Sequence, residues 1–488
     1  VRLYNTLSRT VEEFSPFHTP EVGLYACGLT VYDFTHLGHL RKYTMDDVLV
    51  STLKQEGYRV KHVQNITDVG HLASDADTGE DKLEKGAKKY GKSVWDIAHE
   101  FEEYFWKSMD LMGNSRPDVS CRATDHIPEQ LEMVRQLEAK GFAYVIEDDG
   151  VYFDTSKFGA YGELARLNLS EQQAGARVEQ VSGKRNSTDF ALWKFERPGE
   201  NRAMVWESPW HPRSFPGWHI ECSAMAVKYL GEQFDIHTGG IDHIPVHHTN
   251  EIAQAEAVSG KHPFVKYWVH HNFLRIEGEK MSKSLGNYFT IDDLMERGFH
   301  PRALRLLFLT THYRSEMNFT WSALEGMQRT YQRLLETVIQ LRSEEERTVL
   351  SQEKMSKVDA YREAFVAALR NDLATAEAVS VIWEVVKSNI PGPDKYELLL
   401  YFDEILRLGL RSADDILASL KAHAPQPWLE ISDSQLSAQV RQLLKQRQSA
   451  RESKNWVTAD AVREKLMAMG FEVQDSGQHS QKVRKLAE

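Results

Sequence analysis

EVGLYACG (21–28), VYDFTHLGHLRKYTMDDVLVSTLKQEG (31–57) and YRVKHVQNIT (58–67) follow one another in the chain and read as strand, helix and strand. In the first, Val22, Leu24 and Ala26 share one face at period two before a glycine turn. In the second, Met45, Val48, Leu49 and Leu53 recur at helical spacing before Gly57. Elements in that order predict a parallel α/β unit, in which ligands bind beyond the carboxyl ends of the strands.

Outward from this unit the pattern changes. A helix around 125–140 precedes FAYVIEDDGVYFDTS (142–156), which reads as an antiparallel hairpin across Asp148-Asp149-Gly150 and hence as an insertion. Alternation returns at Phe234-Asp235-Ile236 and Tyr267-Trp268-Val269, so the α/β domain is expected to be split in sequence and continuous in space. After about residue 320 the chain reads as helical. Tyr331, Leu334, Val338 and Leu341 form one apolar stripe, and Phe365, Leu369, Ala376, Val379, Trp383 and Val386 form another. Pro391, Pro393 and then APQPW (424–428), with Pro425 and Pro427, punctuate this region and mark a boundary.

The 488 residues, 41% apolar and 27% charged, suit a globular chain of more than one domain. No apolar run reaches the roughly 18 residues a membrane helix needs, and the first residues lack a secretory hydrophobic region, so a cytoplasmic protein without a membrane partner is expected. Cys27, Cys121 and Cys222 are too sparse for a disulfide framework; metal binding or plain burial is the better reading. A net charge of -12 does not advertise nucleic-acid binding, although 441–465 carries seven Lys or Arg against three acidic residues. That stretch is either a solvated helix face or an RNA contact, and Trp456 within it either packs or stacks on a base.

His36-Leu37-Gly38-His39 falls where the first strand gives way to the helix. Two imidazoles three residues apart lie on one side of a helical turn, and Gly38 permits close approach of a phosphate; the pair is either structural or a stabiliser of charge on that phosphate. Gly278 to Asn287, GEKMSKSLGN, sets lysines and hydroxyls between glycines, either as a mobile polyphosphate clamp or as a solvated basic turn. Neither a Walker A stretch nor a GxGxxG fingerprint is present. His247 and Glu251 are four apart on one helical face, and Cys27 and Cys222 complete a four-ligand metal site if the fold unites them.

Through these motifs the chain resembles the class I aminoacyl-tRNA synthetases. HLGH matches their H-I-G-H pattern, and KMSKS is intact at 280–284. Within that class it resembles the cysteinyl-tRNA synthetases, through YACGLTVYD (25–33), GWHIECSAM (217–225) and HHTNEIAQ (247–254). The resemblance spans nearly the whole chain, most strongly 22–70, 186–321 and 441–475. It implies a split Rossmann catalytic domain, 1–121 and 201–275, around an inserted connective domain, 122–200. A KMSKS and stem-contact region (276–320), a helical bundle (321–423) and a small anticodon-binding domain (424–488) follow.

The resemblance also implies the chemistry: ATP, taken with magnesium, activates cysteine to an adenylate, and the cysteinyl group passes to the terminal adenosine of cysteine tRNA. His36, His39, Lys280 and Lys283 are the implied catalytic residues. Gly38, Gly240, Asp242, Met281, Ser282 and Ser284 join them at ATP, and Thr67, Asp68, Trp218 and His237 hold cysteine. One zinc ion, on Cys27, Cys222, His247 and Glu251, recognises the thiolate; His248 is left as the lesser candidate. A monomer is implied. Leu29, Leu40, Thr238 and Thr249 depart from the family pattern, and the acidic stretch His71 to Asp81 is longer than its usual turn, which leaves pocket geometry open. Two rival functions share these features: a ligase joining cysteine to an amino-sugar inositol, and a silent tRNA-binding descendant. The long C-terminal region disfavours the first, and retention of both signatures and all four ligands disfavours the second.

Overall fold

The computed structural model describes residues 1–70, 82–167, 183–217, 219–282, 286–344, 350–422, 436–453, 455–475 and 481–485. The chain divides into two compact units, Val1–His423 and Ala424–Glu488.

The centre of the first unit is a five-stranded parallel sheet. Its strands are β1 (Glu21–Thr30), β2 (Arg59–Thr67), β3 (Val119–Arg122), β4 (Phe234–Gly240) and β5 (Val265–His271), in spatial order β3-β2-β1-β4-β5. Helix α1 (Leu37–Gln55) links β1 to β2, and α2 (Val94–Met112) lies between β2 and β3. Helices α3 (Ile220–Leu230) and α4 (His247–Ser259) flank β4 in the chain. Strands β1, β2, β4 and β5 are buried along most of their length, as expected of a parallel sheet covered on both faces, while the short edge strand β3 buries only Cys121. This is the doubly wound Rossmann order, split in sequence by an insertion as anticipated.

The insertion forms a four-stranded antiparallel sheet from Ala143–Ile146, Gly150–Phe153, Phe190–Phe195 and Ser214–Pro216. The first two strands make the expected hairpin. After β5, Leu274–Ile276 pairs with Glu279–Lys280 on one side and with Met317–Phe319 on the other. A helical bundle follows.

The first bundle stripe is buried as read: Tyr331 and Leu334 are 0% exposed. The second differs. The chain leaves helix at Asn371–Ala374 between the helices Gln352–Arg370 and Thr375–Lys387. That break resets the helical phase, so Ala376 faces solvent while Ala378, Ile382 and Val385 enter the core.

In the second unit, the helices Ala438–Glu452 and Trp456–Ala468 and a hairpin of Phe471–Asp475 with Gln481–Lys485 enclose Val440, Leu444, Val462, Leu466, Val473 and Val483. Among the described residues no helix is long and apolar enough to cross a membrane.

Helix α1 is buried on nearly every side although it carries Arg41, Asp46 and Asp47. Each charge must therefore find a partner inside the protein. Asp47 finds Arg305, itself 0% exposed, at 2.6 Å. The same guanidinium donates to Asn114 Oδ1 at 2.5 Å and to Leu406 O at 2.6 Å, tying α1 to the end of α2 and to the bundle helix Gly392–Leu406. Without Arg305 the buried Asp47 retains the longer ion pair with Arg407, 3.4 Å from Oδ2, and the bond from Ser115 N, and loses its closest counter-charge. Arg305→Ala is expected to lower the unfolding free energy by about 3–5 kcal/mol; denaturant titration of the full chain checks this, and a loss within the range of a surface substitution would show that Asp47 does not depend on it.

Candidate active site and metal centre

The sheet order reverses between β1 and β4, and a cavity of about 590 Å³ opens at their carboxyl ends. Its lining includes Cys27, His36, His39, Lys42, Asp242 and Lys280.

Cys27 reaches the cavity through an irregularity in β1. The pairing with β2 shifts register between Ala26 and Leu29, and a Cβ on Gly28 would lie 1.6 Å from Asn65 O. Only glycine lets the bulged backbone rest on that carbonyl. Asn65 holds the bulge in place, its Oδ1 accepting from Gly28 N at 2.7 Å.

Three other donors converge on Cys27. Cys222 sits in the first turn of α3, while His247 and Glu251 stand one turn apart at the start of α4. Cys27 Sγ is 3.6 Å from His247 Nε2, and Glu251 Oε1 is 2.8 Å from the same nitrogen. The ligand atoms of Cys222, His247 and Glu251 lie within 4.8 Å of one another, as do those of Cys27, His247 and His248. Glu251 is fully buried, its Oε1 paired with His247 and its Oε2 with His237. Two thiols, an imidazole and a buried carboxylate form a donor set that suits zinc.

The electrostatics agree with a cation site. Cys27 is drawn well below the usual thiol range, chiefly by its hydrogen bond with Cys222, which outweighs burial, with His243 and His247 adding to it. Cys222 is pushed well above that range by the same partner and by burial. Burial works against charge on His247, but Cys27 and Glu251 raise it well above its ordinary value. Neighbours fix the orientation of these groups: His237 Nε2 is 3.0 Å from Glu251 Oε2, and the two Nδ1 atoms of His219 and His247 are 2.6 Å apart.

His36 is the N-cap of α1. Its Nδ1 accepts from Gly38 N at 3.1 Å and His39 N at 3.4 Å, and His39 Nδ1 accepts from His36 N at 3.4 Å. The two rings stack with centroids 3.5 Å apart. Burial holds His36 at about 4 and, with His36 and Lys42 nearby, holds His39 well below its ordinary value. Both rings are therefore neutral near pH 7. Because each Nδ1 is an acceptor, the proton of each ring sits on Nε2.

The second signature returns to the first. Phe289 O accepts from Leu37 N at 3.0 Å, and Tyr288 OH donates to Phe34 O at 2.5 Å. Asn287 closes the neck of the loop, accepting from Ser282 N at 2.7 Å and donating to Lys280 O at 3.1 Å. Lys280 and Met281 line the cavity. Gly240 lines it too, and a Cβ there would meet Asp242 Oδ1 at 2.3 Å, so the missing side chain makes room for that carboxylate.

Of the residues that the resemblance assigns to cysteine, three are held by near neighbours. Asp68 has both oxygens engaged by Thr124, from N at 2.9 Å and Oγ1 at 2.5 Å, and Thr67 Oγ1 accepts from Asn65 Nδ2 at 3.0 Å. His237 is fully buried, stacked 4.8 Å from Trp268 and directed at Glu251. Trp218, Lys283, Ser284, the stretch His71 to Asp81, and Pro425 with Pro427 lie outside the described residues.

Lys42, Asn287 and Tyr288 went unread in the sequence. Only Lys42 left a signal there, as the i,i+4 partner of Asp46: its ammonium is 2.8 Å from Asp46 Oδ2 and donates to Cys27 O at 2.8 Å.

Comparison with known proteins agrees with this geometry. Residues 13–329 match the family model described as tRNA synthetases class I (C) catalytic domain, and 433–484 match the cysteinyl-tRNA ligase anticodon binding domain. The chain is 45% identical to cysteine–tRNA ligase 1 of Burkholderia lata, over 97% of this chain and 95% of that one. It is 42% identical to the cysteine–tRNA ligase of Treponema denticola, over 97% and 98%. Among solved structures, Mycobacterium tuberculosis methionyl-tRNA synthetase with methionyl-adenylate superposes with a TM-score of 0.54 at 16% identity, covering 85% of this chain and 95% of that one. That likeness is one of fold.

A Cβ at position 28 cannot coexist with the bulge that aims Cys27. Gly28→Ala is therefore expected to reduce the metal content of the purified protein well below that of the parent, read by atomic emission after dialysis. Full retention of metal would show that Cys27 is placed by something other than the bulge.

Proposed function

The chain belongs to the class I cysteinyl-tRNA ligase family, and from that premise we propose how its own residues activate cysteine with ATP and charge tRNA. The observation that supports the reading is that Cys27 serves two places at once: it meets Cys222 and His247, the latter shared with the Cys222, His247 and Glu251 group, and it lines the cavity that holds the HLGH histidines. Cys27, Cys222, His247 and Glu251 would hold a zinc ion, which when bound would supply a borderline-soft Lewis acid that favours a thiolate over the hydroxyl of serine.

In the first reaction the carboxylate of cysteine attacks the α-phosphorus of ATP, the bond to pyrophosphate breaks, and cysteinyl-adenylate forms. The neutral rings of His36 and His39 offer Nε2–H donors to charge developing on the α-phosphate, at a helix N-terminus that favours the same sign. Gly38 admits the phosphate, and Asp242, beside Gly240, takes the ribose. Lys280 and Lys283 neutralise departing pyrophosphate, which arrives with magnesium, and Met281, Ser282 and Ser284 complete the loop. Trp218 walls the cysteine site, while Thr67, Asp68 and His237 support it through Asn65, Thr124 and Glu251. In the second reaction a hydroxyl of the terminal tRNA adenosine attacks the adenylate carbonyl, and AMP leaves. The basic helices of the C-terminal unit, with Trp456 55% exposed, take the RNA.

Charging of cysteine tRNA, together with cysteine-dependent ATP–pyrophosphate exchange, tests the whole reading; folded, zinc-loaded protein that performs neither reaction would refute it. Cys222→Ser is expected to strip zinc and to lower kcat/KM for cysteine by at least about 100-fold, beyond the loss typical of a residue that only orients a ligand. Parental zinc occupancy and efficiency would remove Cys222 from the site. Lys283→Ala is expected to slow adenylate formation on the order of 100-fold with little change in thermal stability. Stopped-flow adenylation at the parental rate would contradict that role.

A further inference from the structure

Arg41 lies two residues beyond the HLGH signature and is only 2% exposed. Among the described residues no carboxylate stands within ion-pair distance of it. Its guanidinium instead donates to four backbone carbonyls: Nη1 to Asn272 O at 2.9 Å and Phe273 O at 3.1 Å, and Nη2 to His312 O at 3.0 Å and Ser315 O at 2.8 Å. Both segments are roots of one small sheet. Asn272 and Phe273 lead into Leu274–Ile276, which pairs with the strand ending at Lys280, and Ser315 leads into Met317–Phe319, which pairs with Leu274–Ile276 on its other side. The roots also bond to each other, Asn272 N to Tyr313 O at 2.9 Å and Met317 N to Phe273 O at 3.0 Å.

One helical turn thus carries His36 and His39 at its start and, through Arg41, grips the base of the hairpin that presents Lys280. The hairpin is short, so displacement of its root is passed directly to its end. A planar fork with separated donors spans four carbonyls; an ammonium does not. We propose that Arg41 is a positioning residue for adenylate formation, setting the distance between the HLGH imidazoles and the Lys280 ammonium across the phosphate site. The proposal rests on the roles given above to those residues.

The test is a double-mutant cycle in the full-length, zinc-loaded enzyme, reading the single-turnover rate of adenylate formation from saturating cysteine and ATP. Arg41→Lys is expected to lower that rate by about 10- to 100-fold, the cost of an ångström-scale misplacement. The KM for cysteine and the zinc content are expected to stay within about twofold of the parent, since the thiol site is fixed from other elements. The combined Arg41→Lys, Lys280→Ala variant is expected to be no slower than Lys280→Ala alone, because a displaced ammonium and a missing one lose the same interaction.

Losses that multiply in the double variant would overturn the proposal, as would a parental adenylation rate in Arg41→Lys. An unimpaired Lys280→Ala would remove the role of Lys280 and the proposal with it, whereas additive losses would remove the proposal alone. Where Arg41→Lys does not fold, Arg41→Gln enters the same cycle. Failure of both to give folded, zinc-loaded protein would assign Arg41 to stability and overturn the catalytic positioning.

Discussion

Helix α1 is nearly enclosed by protein and still carries four charged residues in seven positions, Arg41, Lys42, Asp46 and Asp47. Leaving any of them unsatisfied costs several kcal/mol, so each must bond to something that the fold brings to it. Arg41 takes backbone carbonyls at Asn272, Phe273, His312 and Ser315. Lys42 takes Cys27 O and Asp46, Asp46 takes His271, and Asp47 takes Arg305. These bonds tie the helix that begins with the histidine signature to the metal strand, to β5, to the second signature hairpin and to the bundle. The constraint is electrostatic rather than apolar, and it makes α1 the reference against which the rest of the site is placed.

Around that helix the protein separates two electrostatic tasks. Beside the cavity burial keeps the imidazoles of His36 and His39 neutral, each with its proton on Nε2. At the candidate metal centre burial is overcome: Cys27 is drawn toward its thiolate by Cys222, and His247 toward its charged form by Cys27 and Glu251. The two sites touch at Cys27. The bulge at Gly28 is what permits this, turning one residue of a regular strand out of register toward the cavity.

Much of this was legible in the sequence where the signal was local. The period-two face of β1, the helical stripe of α1 and the hairpin at Asp148-Asp149-Gly150 depend on near neighbours, and they fold as read. The spacing of His247 and Glu251 placed them on one turn. Resemblance supplied Cys27 and Cys222, whose meeting no spacing could establish. Partners of Arg41 lie 231 to 274 residues away, so nothing near it announced their identity. Asp68 and His237 are pocket residues by resemblance alone, and their contacts, Thr124 for Asp68 and Glu251 for His237 Nε2, lie 56 and 14 residues away, where no local pattern announces them. Ala376 was assigned to a continuous stripe because a four-residue break in helix does not show in apolar spacing.

Zinc held by the sulfurs of Cys27 and Cys222, as proposed, would take the thiolate of the substrate as a third sulfur ligand. X-ray absorption at the zinc edge of the full-length enzyme, recorded before and after saturation with cysteine and again with serine, measures that directly. The account predicts a sulfur shell that grows from two scatterers to three with cysteine and stays at two with serine. A shell unchanged by cysteine in enzyme that forms the adenylate would contradict it.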